Sequence, residues 1–402
     1  MLSGNSMTMR KQRSPLTLIA LVLSLALLAA NAEEILGVDD FVEYWAAGRL
    51  NLTGGNPYDP THLLPLQRSV GWDDPVPVMM WNPPWTLALV MPFGALPYIT
   101  GRALWMLAGF AIIIVCADLC WRLYGGPERR CWVGWLCGIF FAPSLLALNM
   151  GQIGPLILLG VTGFVYAAEQ KRWGPAGAFA ALIAVKPHLL YLFWVAWALW
   201  ALHERRWRGV IALASTLLVA TAIPMLWNPV LLDQYIATST SAPPLYWATP
   251  TLGATLRMLF GEERHWLQFT PSVAGLGWFA LYWWRRRATW CWHTQMPLLL
   301  LASVVTASFG WTFDLVVLVP VIIQAAACAM LASSNALRRA SIAAFMVINV
   351  LVVVLNQFRV SSFWFFWLAP MLLLLYLLLR RPDRAGSHQP AARSRVDMEP
   401  AR

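Results

Sequence analysis

Residues Gly37–Asp59 read GVDDFVEYWAAGRLNLTGGNPYD. The stretch follows the first apolar run of the chain, Leu16–Ala30, and opens its first long polar segment. It carries Asp39, Asp40, Glu43 and Asp59 beside a Gly54-Gly55-Asn56-Pro57-Tyr58 turn. Eight of the 19 acids (Glu33, Glu34, Asp39, Asp40, Glu43, Asp59, Asp73 and Asp74) fall between residues 33 and 74. Ionisable groups are costly at membrane depth, so acids gathered at one membrane face point to a site there.

That there is a membrane follows from composition. The chain has 402 residues, 59% hydrophobic and 12% charged, against roughly 25% charged in soluble domains. Apolar runs approaching the ~20 residues needed to cross a bilayer recur along its length. We therefore expect an all-α polytopic membrane protein. Spans are placed near 15–32, 103–122, 132–148, 153–168, 174–186, 188–202, 209–226, 272–284, 295–309, 315–332, 341–355 and 362–379. That gives about 12 transmembrane helices, within a range of roughly 10 to 13. Residues 1–380 form the membrane domain, and 381–402 read as a disordered cytoplasmic tail.

The basic residues set the orientation. Lys and Arg gather on the cytoplasmic side of membrane proteins. Clusters such as Arg129-Arg130, Lys171-Arg172, Arg285-Arg286-Arg287 and Arg338-Arg339 fall there if both termini are cytoplasmic. This accounts for the net charge of +10 without nucleic acid as a partner. The segments 33–102 and 227–271 then become long outer loops, the first holding short helices. Trp85–Leu96 is too short to cross and is read as dipping into the outer leaflet. Arg10, Lys11 and Arg13 before Leu16–Ala30, with Ala30-Asn31-Ala32 after it, resemble a cleavable signal peptide, but an uncleaved first span is preferred.

The cysteines Cys116, Cys120, Cys131, Cys137, Cys291 and Cys328 lie in apolar spans or near their basic ends. No C-x-x-C or Cys/His spacing suggests a metal site, so structural roles are expected and no metal is assigned. The acid-rich outer loops keep a divalent cation open as an alternative.

Four polar features meet the outer face in this topology. They are Asp39/Asp40, the Asn149-Met150-Gly151-Gln152 turn, Lys186-Pro187-His188 and Trp311-Thr312-Phe313-Asp314. Each has a structural alternative: helix N-capping for the Asp pair and for Asp314, and snorkelling to headgroups for Lys186. His188 reads as a helper or a packed polar residue, and Asp118 as a helix-pairing residue. An outer-face carboxylate can act as general base towards a hydroxyl, and a cation can neutralise a departing phosphate. That pairing suits group transfer from a lipid-linked phosphate.

The motifs carry a resemblance. Asp40-Phe41-x-x-Tyr44-x-Ala46-Ala47-Gly48, Gly55-Asn56-Pro57-Tyr58, Trp81-Asn82-Pro83-Pro84, Gly151-Gln152, Lys186-Pro187 and Leu318-Val319-Pro320 follow one another in order. Over residues 37–320 the chain resembles glycosyltransferase family 87, integral-membrane enzymes of GT-C type that include polyprenyl-phosphomannose-dependent mannosyltransferases. The resemblance implies transfer of a hexose, as in those enzymes mannose, from a polyprenyl-phosphate donor to an extracytoplasmic glycan or glycolipid. The transfer would be a single inverting step without a cofactor, at the outer face of a bacterial inner (plasma) membrane. Asp40 would be the base, with Asp39 as runner-up. Lys186 and His188 would bind donor phosphate, and Tyr44, Asn56, Tyr58, Gln152, Trp311 and Asp314 would bind substrate. Many relatives carry a Trp-x-His motif before the late span, and Gly310–Asp314 has no histidine. The rival reading is a multi-span transporter or lipid-linked sugar flippase. Against it, the loop Leu123–Arg130 lacks the Gly/Asp/Arg-rich motif of major-facilitator carriers, and the polar groups gather at one face rather than at the midplane.

Overall fold

A computed structural model of the chain describes residues 37–241, 247–332 and 334–379. The expected first span and its signal-like features, and the expected cytoplasmic tail, lie outside these residues. The described residues form helices and no strands. They divide into two compact units, each discontinuous in sequence.

Among the described residues, five helices are long and apolar enough to cross a membrane: Tyr98–Leu123, Trp207–Met225, Thr312–Leu331, Asn335–Gln357 and Ser362–Leu379. A sixth candidate is the pair Glu128–Ile139 and Ala142–Asn149, bent by 59°. On Asn335–Gln357 the large apolar side chains Ile342, Met346, Val347 and Val350 are at least half exposed. Such a continuous apolar face suits hydrocarbon, not water. The polytopic reading therefore holds, and the expected count of about twelve is not confirmed.

The shortfall has a local cause. Helices do form where spans were expected at 153–168, 174–186 and 188–202, but they are Gly154–Glu169, Trp173–Ile183 and Tyr191–His203. The 11 residues of Trp173–Ile183 extend only about 17 Å at 1.5 Å per residue, well short of a ~30 Å hydrocarbon core. This helix cannot run on because Pro187 disfavours helical backbone at Lys186.

The first unit comprises residues up to Ile112, Ala147–Ile153 and Ala214–Pro244. At its centre is the helix Phe41–Leu52, cut from the stretch quoted above. Eight of its twelve residues are buried (Phe41, Val42, Tyr44, Trp45, Ala46, Ala47, Gly48 and Asn51). Apolar side chains right around a helix mark a core position. The helix crosses Leu87–Gly94 at small residues: a Cβ on Gly94 would come within 2.6 Å of Arg49 N, and one on Gly48 within 3.0 Å of Val90 O. Trp45 Nε1 donates to Leu96 O at 2.9 Å, tying down the chain after the second helix.

The same unit holds the helix Pro60–Arg68. Asp59 caps it by accepting from Thr61 N at 2.8 Å, with proline at the first helical position. Buried Gln67 then pairs with both backbone groups of Val78, at 2.7 Å and 3.0 Å. Short helices thus occupy the segment from Phe41 to Gly94.

The second unit comprises Ile113–Leu146, Gly154–Leu213 and Leu245 onward. Gly154–Glu169 and Trp173–Ile183 form its tightest helix pair, reversing through Lys171 at φ 57°. Phe164, Phe193, Trp197, Trp200 and Trp292 build an aromatic core, with Phe164 and Trp292 edge to face at 4.8 Å.

Candidate active site

In the first unit the helix Phe41–Leu52 opens with the Asp pair, and the two acids part company at once. Asp39 Oδ1 accepts from Phe41 N at 3.0 Å, which satisfies a free donor at the helix start. Its Oδ2 accepts from Arg102 Nε at 2.7 Å. Asp40 stands at the N-cap position and makes no side-chain cap bond. Its Oδ2 accepts from Gln152 Nε2 at 2.8 Å. Capping thus falls to Asp39, and the Asp40 carboxylate is held by an amide from the Asn149–Gln152 turn.

Gln152 is itself oriented. Tyr44 OH donates to its Oε1 at 3.2 Å, and a carboxylate can only accept, so the amide nitrogen must face Asp40. Tyr44 is fully buried and stacks on Trp105, ring centroids 5.6 Å apart. Trp105 Nε1 in turn donates to Gly151 O at 2.8 Å. The spacing of Phe41, Tyr44 and Trp45 on one helix lets the aromatic face hold this turn.

Arg102 joins the Asp pair with no motif in the sequence to announce it. It is 1% exposed, and besides Asp39 it donates from Nη2 to Leu148 O at 2.8 Å and Asn149 O at 2.9 Å. One guanidinium therefore clamps the Asp pair to the end of the Ala142–Asn149 helix. Gly151 makes the clamp possible. It sits at φ +65°, and a Cβ there would come within 2.5 Å of Phe41 Cβ and 3.0 Å of Asp39 Oδ1. Burial raises the Asp39 carboxyl above its ordinary value, outweighing the pull of Arg102 in the other direction, and neighbouring Asp40 adds to the rise.

Other residues expected to bind substrate have internal partners. Asn56 Oδ1 accepts from Tyr58 N at 3.0 Å, closing the turn at Gly54–Tyr58. Tyr58 is 1% exposed, packs on Tyr235 at 5.3 Å and donates to Asn82 O at 3.4 Å. These side chains hold the turn and its neighbours Asn82 and Tyr235 together.

In the second unit, Lys186 Nζ and Asp314 Oδ1 form an ion pair at 2.8 Å, with side chains 13% and 2% exposed. Asp314 Oδ2 also accepts from Trp311 N at 2.9 Å, so it caps the turn Thr312–Leu318 as well as holding the lysine. Lys186 lies over the Phe313 ring, 5.3 Å from its centroid. Trp311 stacks on Phe313 at 6.2 Å and lies 6.0 Å from Trp247. His188 meets the Phe309 ring edge-on at 6.5 Å. The Lys186-Pro187-His188 break and the Trp311–Asp314 segment therefore meet, as the sequence features suggested.

Among the described residues, one group of side chains could hold a metal: Glu169, Cys291 and His293 bring their ligand atoms within 4.8 Å of one another. The cysteine spacings alone gave no sign of this grouping. The Cys-x-His spacing is short, and its third member comes from a different helix.

A family model for glycosyltransferase family 87 matches residues 81–356. The chain belongs to glycosyltransferase family 87. It is a membrane glycosyltransferase, which removes the transporter reading. No curated protein and no solved structure matches the chain. The family match takes in Arg102, Gln152, Lys186, His188, Trp311 and Asp314, and it begins after Asp39, Asp40, Tyr44, Asn56 and Tyr58. The acids of the first helix are tied to the family region by Arg102 and Gln152.

Proposed function

We propose that this family 87 glycosyltransferase moves a hexose, with mannose the first candidate, from a polyprenyl-phosphate donor to an extracytoplasmic glycan or glycolipid. Asp40 is the general base. It takes the proton from an acceptor hydroxyl as that oxygen attacks the anomeric carbon. The bond from that carbon to the phosphate oxygen breaks, and the electron pair leaves with polyprenyl phosphate. The anomeric centre inverts in one step.

The observation that carries this reading is the division of labour in the Asp pair. Asp39 is engaged by Arg102 and by the helix start, whereas Asp40 is oriented by Gln152 without a cap bond of its own. A base must be aimed as well as basic, and the Gln152 amide fixes the direction of the Asp40 carboxylate.

Lys186 and His188 are proposed for the donor phosphate. Asp314 holds the lysine ammonium in a fixed, largely buried place, and preorganised cations of that kind stabilise a developing phosphate charge. Trp311 offers an aromatic face at the same segment. The bilayer itself is a partner, since a polyprenyl donor must arrive through it. The setting is a bacterial inner (plasma) membrane with both termini cytoplasmic and the chemistry on the outer face.

The test is transfer from labelled polyprenyl-phosphate hexoses to a membrane glycan extract, using membranes that contain wild type, Asp40→Asn or Asp39→Asn. Loss in Asp40→Asn at normal protein level is the expected result. Full transfer by Asp40→Asn would remove it as the base.

A further inference from the structure

Glu169 ends the helix Gly154–Glu169, and Cys291 and His293 flank the start of the helix Trp292–Thr306. His293 Nδ1 lies 2.9 Å from Glu169 Oε2 and 3.1 Å from Cys291 Sγ. One ring nitrogen thus faces a thiol and a carboxylate together. The group belongs to the second unit, takes no part in the proposed transfer, and is accessible: Glu169 and His293 side chains are 47% and 34% exposed.

We propose that Glu169, Cys291 and His293 form a zinc site with three protein ligands. The donor set is the first reason. Sulfur, imidazole nitrogen and carboxylate oxygen together suit Zn2+ better than Mg2+ or Ca2+, which prefer oxygen alone.

Geometry is the second reason. With metal–ligand bonds of roughly 2.0–2.3 Å in a tetrahedron, neighbouring ligand atoms lie about 3.3–3.6 Å apart. His293 Nδ1 now sits slightly closer than that to the other two atoms, at hydrogen-bond distances, and all three atoms lie within 4.8 Å of one another. Moving the imidazole nitrogen back by about half an ångström brings both of its separations into the metal range. Zn2+ would replace the protons that now hold the group together, so binding releases protons.

The far side of the imidazole is the third reason. Metal-bound histidines usually engage their other nitrogen in a supporting bond that fixes the ring. His293 Nε2 has Thr294 Oγ1 at 3.3 Å. Three protein ligands leave the fourth position for water, the arrangement of an open site rather than a closed structural one.

The experiment uses the full-length protein in detergent, reduced and stripped of metal, then titrated with Zn2+ against a chromophoric chelator and separately with Co2+. One equivalent of Zn2+ and a thiolate-to-cobalt charge-transfer band are expected. The band should vanish in Cys291→Ser. Glu169→Gln, His293→Ala and Thr294→Val should each weaken binding by ~10-fold or more. Equal binding by wild type and Cys291→Ser, which would mark an adventitious ion, overturns the proposal, as does no binding by monodisperse wild type.

A second measurement needs no variant. Zn2+ should slow alkylation of Cys291 in the wild-type protein by at least ~10-fold while leaving exposed Cys328 unchanged. Equal rates at Cys291 with and without Zn2+ would overturn the proposal even if Cys291→Ser fails to fold.

Discussion

Gln152 Nε2 donates to Asp40 Oδ2 at 2.8 Å across 112 residues of chain, and Tyr44 OH fixes the same amide from its other side. Replacing Asp40 by Asn keeps the size and position of the side chain but removes the base. Transfer should fall roughly 100- to 10,000-fold, the usual contribution of general base catalysis, with the melting temperature in detergent nearly unchanged. Radiolabel transfer and thermal melting on the same preparations check this.

Gln152→Leu tests the aim of that carboxylate. It strips one hydrogen bond from Asp40 and one from the buried Tyr44 hydroxyl, costing about 1–3 kcal/mol of stability. Tyr44→Phe in the same background should restore part of that stability without restoring transfer. If the double variant regains transfer, the amide serves packing and not the base.

Arg102 should matter for folding, since it is buried and ion-paired. Arg102→Met abandons the partly buried Asp39 charge and two backbone carbonyls, and removing one partner of a buried ion pair costs up to about 3–5 kcal/mol. Some exposure of Asp39 places the expected loss at the lower end. Arg102→Lys should rescue little, because a single ammonium cannot reproduce a fork that reaches a carboxylate and two carbonyls. Expression level and melting temperature of the two variants give the comparison.

Asp39 gives a pH dependence with a definite sign. Burial raises its folded-state value above the ordinary 3.8, so the folded state binds this proton more tightly than the unfolded state does. Its favourable contribution is therefore fully present below 3.8 and is lost as pH rises through the raised folded value. Wild type should lose melting temperature relative to Asp39→Asn as pH rises across that window. The opposite slope would mean that Arg102, not burial, governs the carboxyl.

Lys186→Met should be among the most disruptive single changes in the second unit, since it leaves Asp314, 2% exposed, charged and unmatched. Lys186→Met combined with Asp314→Leu should recover stability, because two well-packed apolar groups can replace a buried pair. Transfer should stay low in both if Lys186 meets the donor phosphate. Recovery of transfer in the double variant would assign the pair to structure alone.

Much of this protein was legible residue by residue. The motifs from Asp40 to Pro320 suggested the family, and the match over residues 81–356 bears that out. The Lys186 break and the Trp311–Asp314 segment were both singled out, and they meet at 2.8 Å. The count of about twelve spans is not confirmed, because hydropathy sums over a window and does not register where Pro187 or the Lys171 reversal stops a helix. Tyr44 and Tyr58 were expected by resemblance to bind substrate, and the structure shows their hydroxyls donating to Gln152 Oε1 and Asn82 O.

Composition and periodicity alone determined the membrane class, the helical architecture and the acid-rich first segment, because hydropathy is a local and additive property of the chain. Only the tertiary structure decided which acid caps and which is aimed, that Arg102 clamps the pair, and that Glu169 joins Cys291 and His293. Those facts rest on contacts near 3 Å between residues 63 to 124 positions apart. A hydrogen bond is lost with a displacement of about 1 Å, so no pattern along the chain can encode it until the fold has brought the partners together.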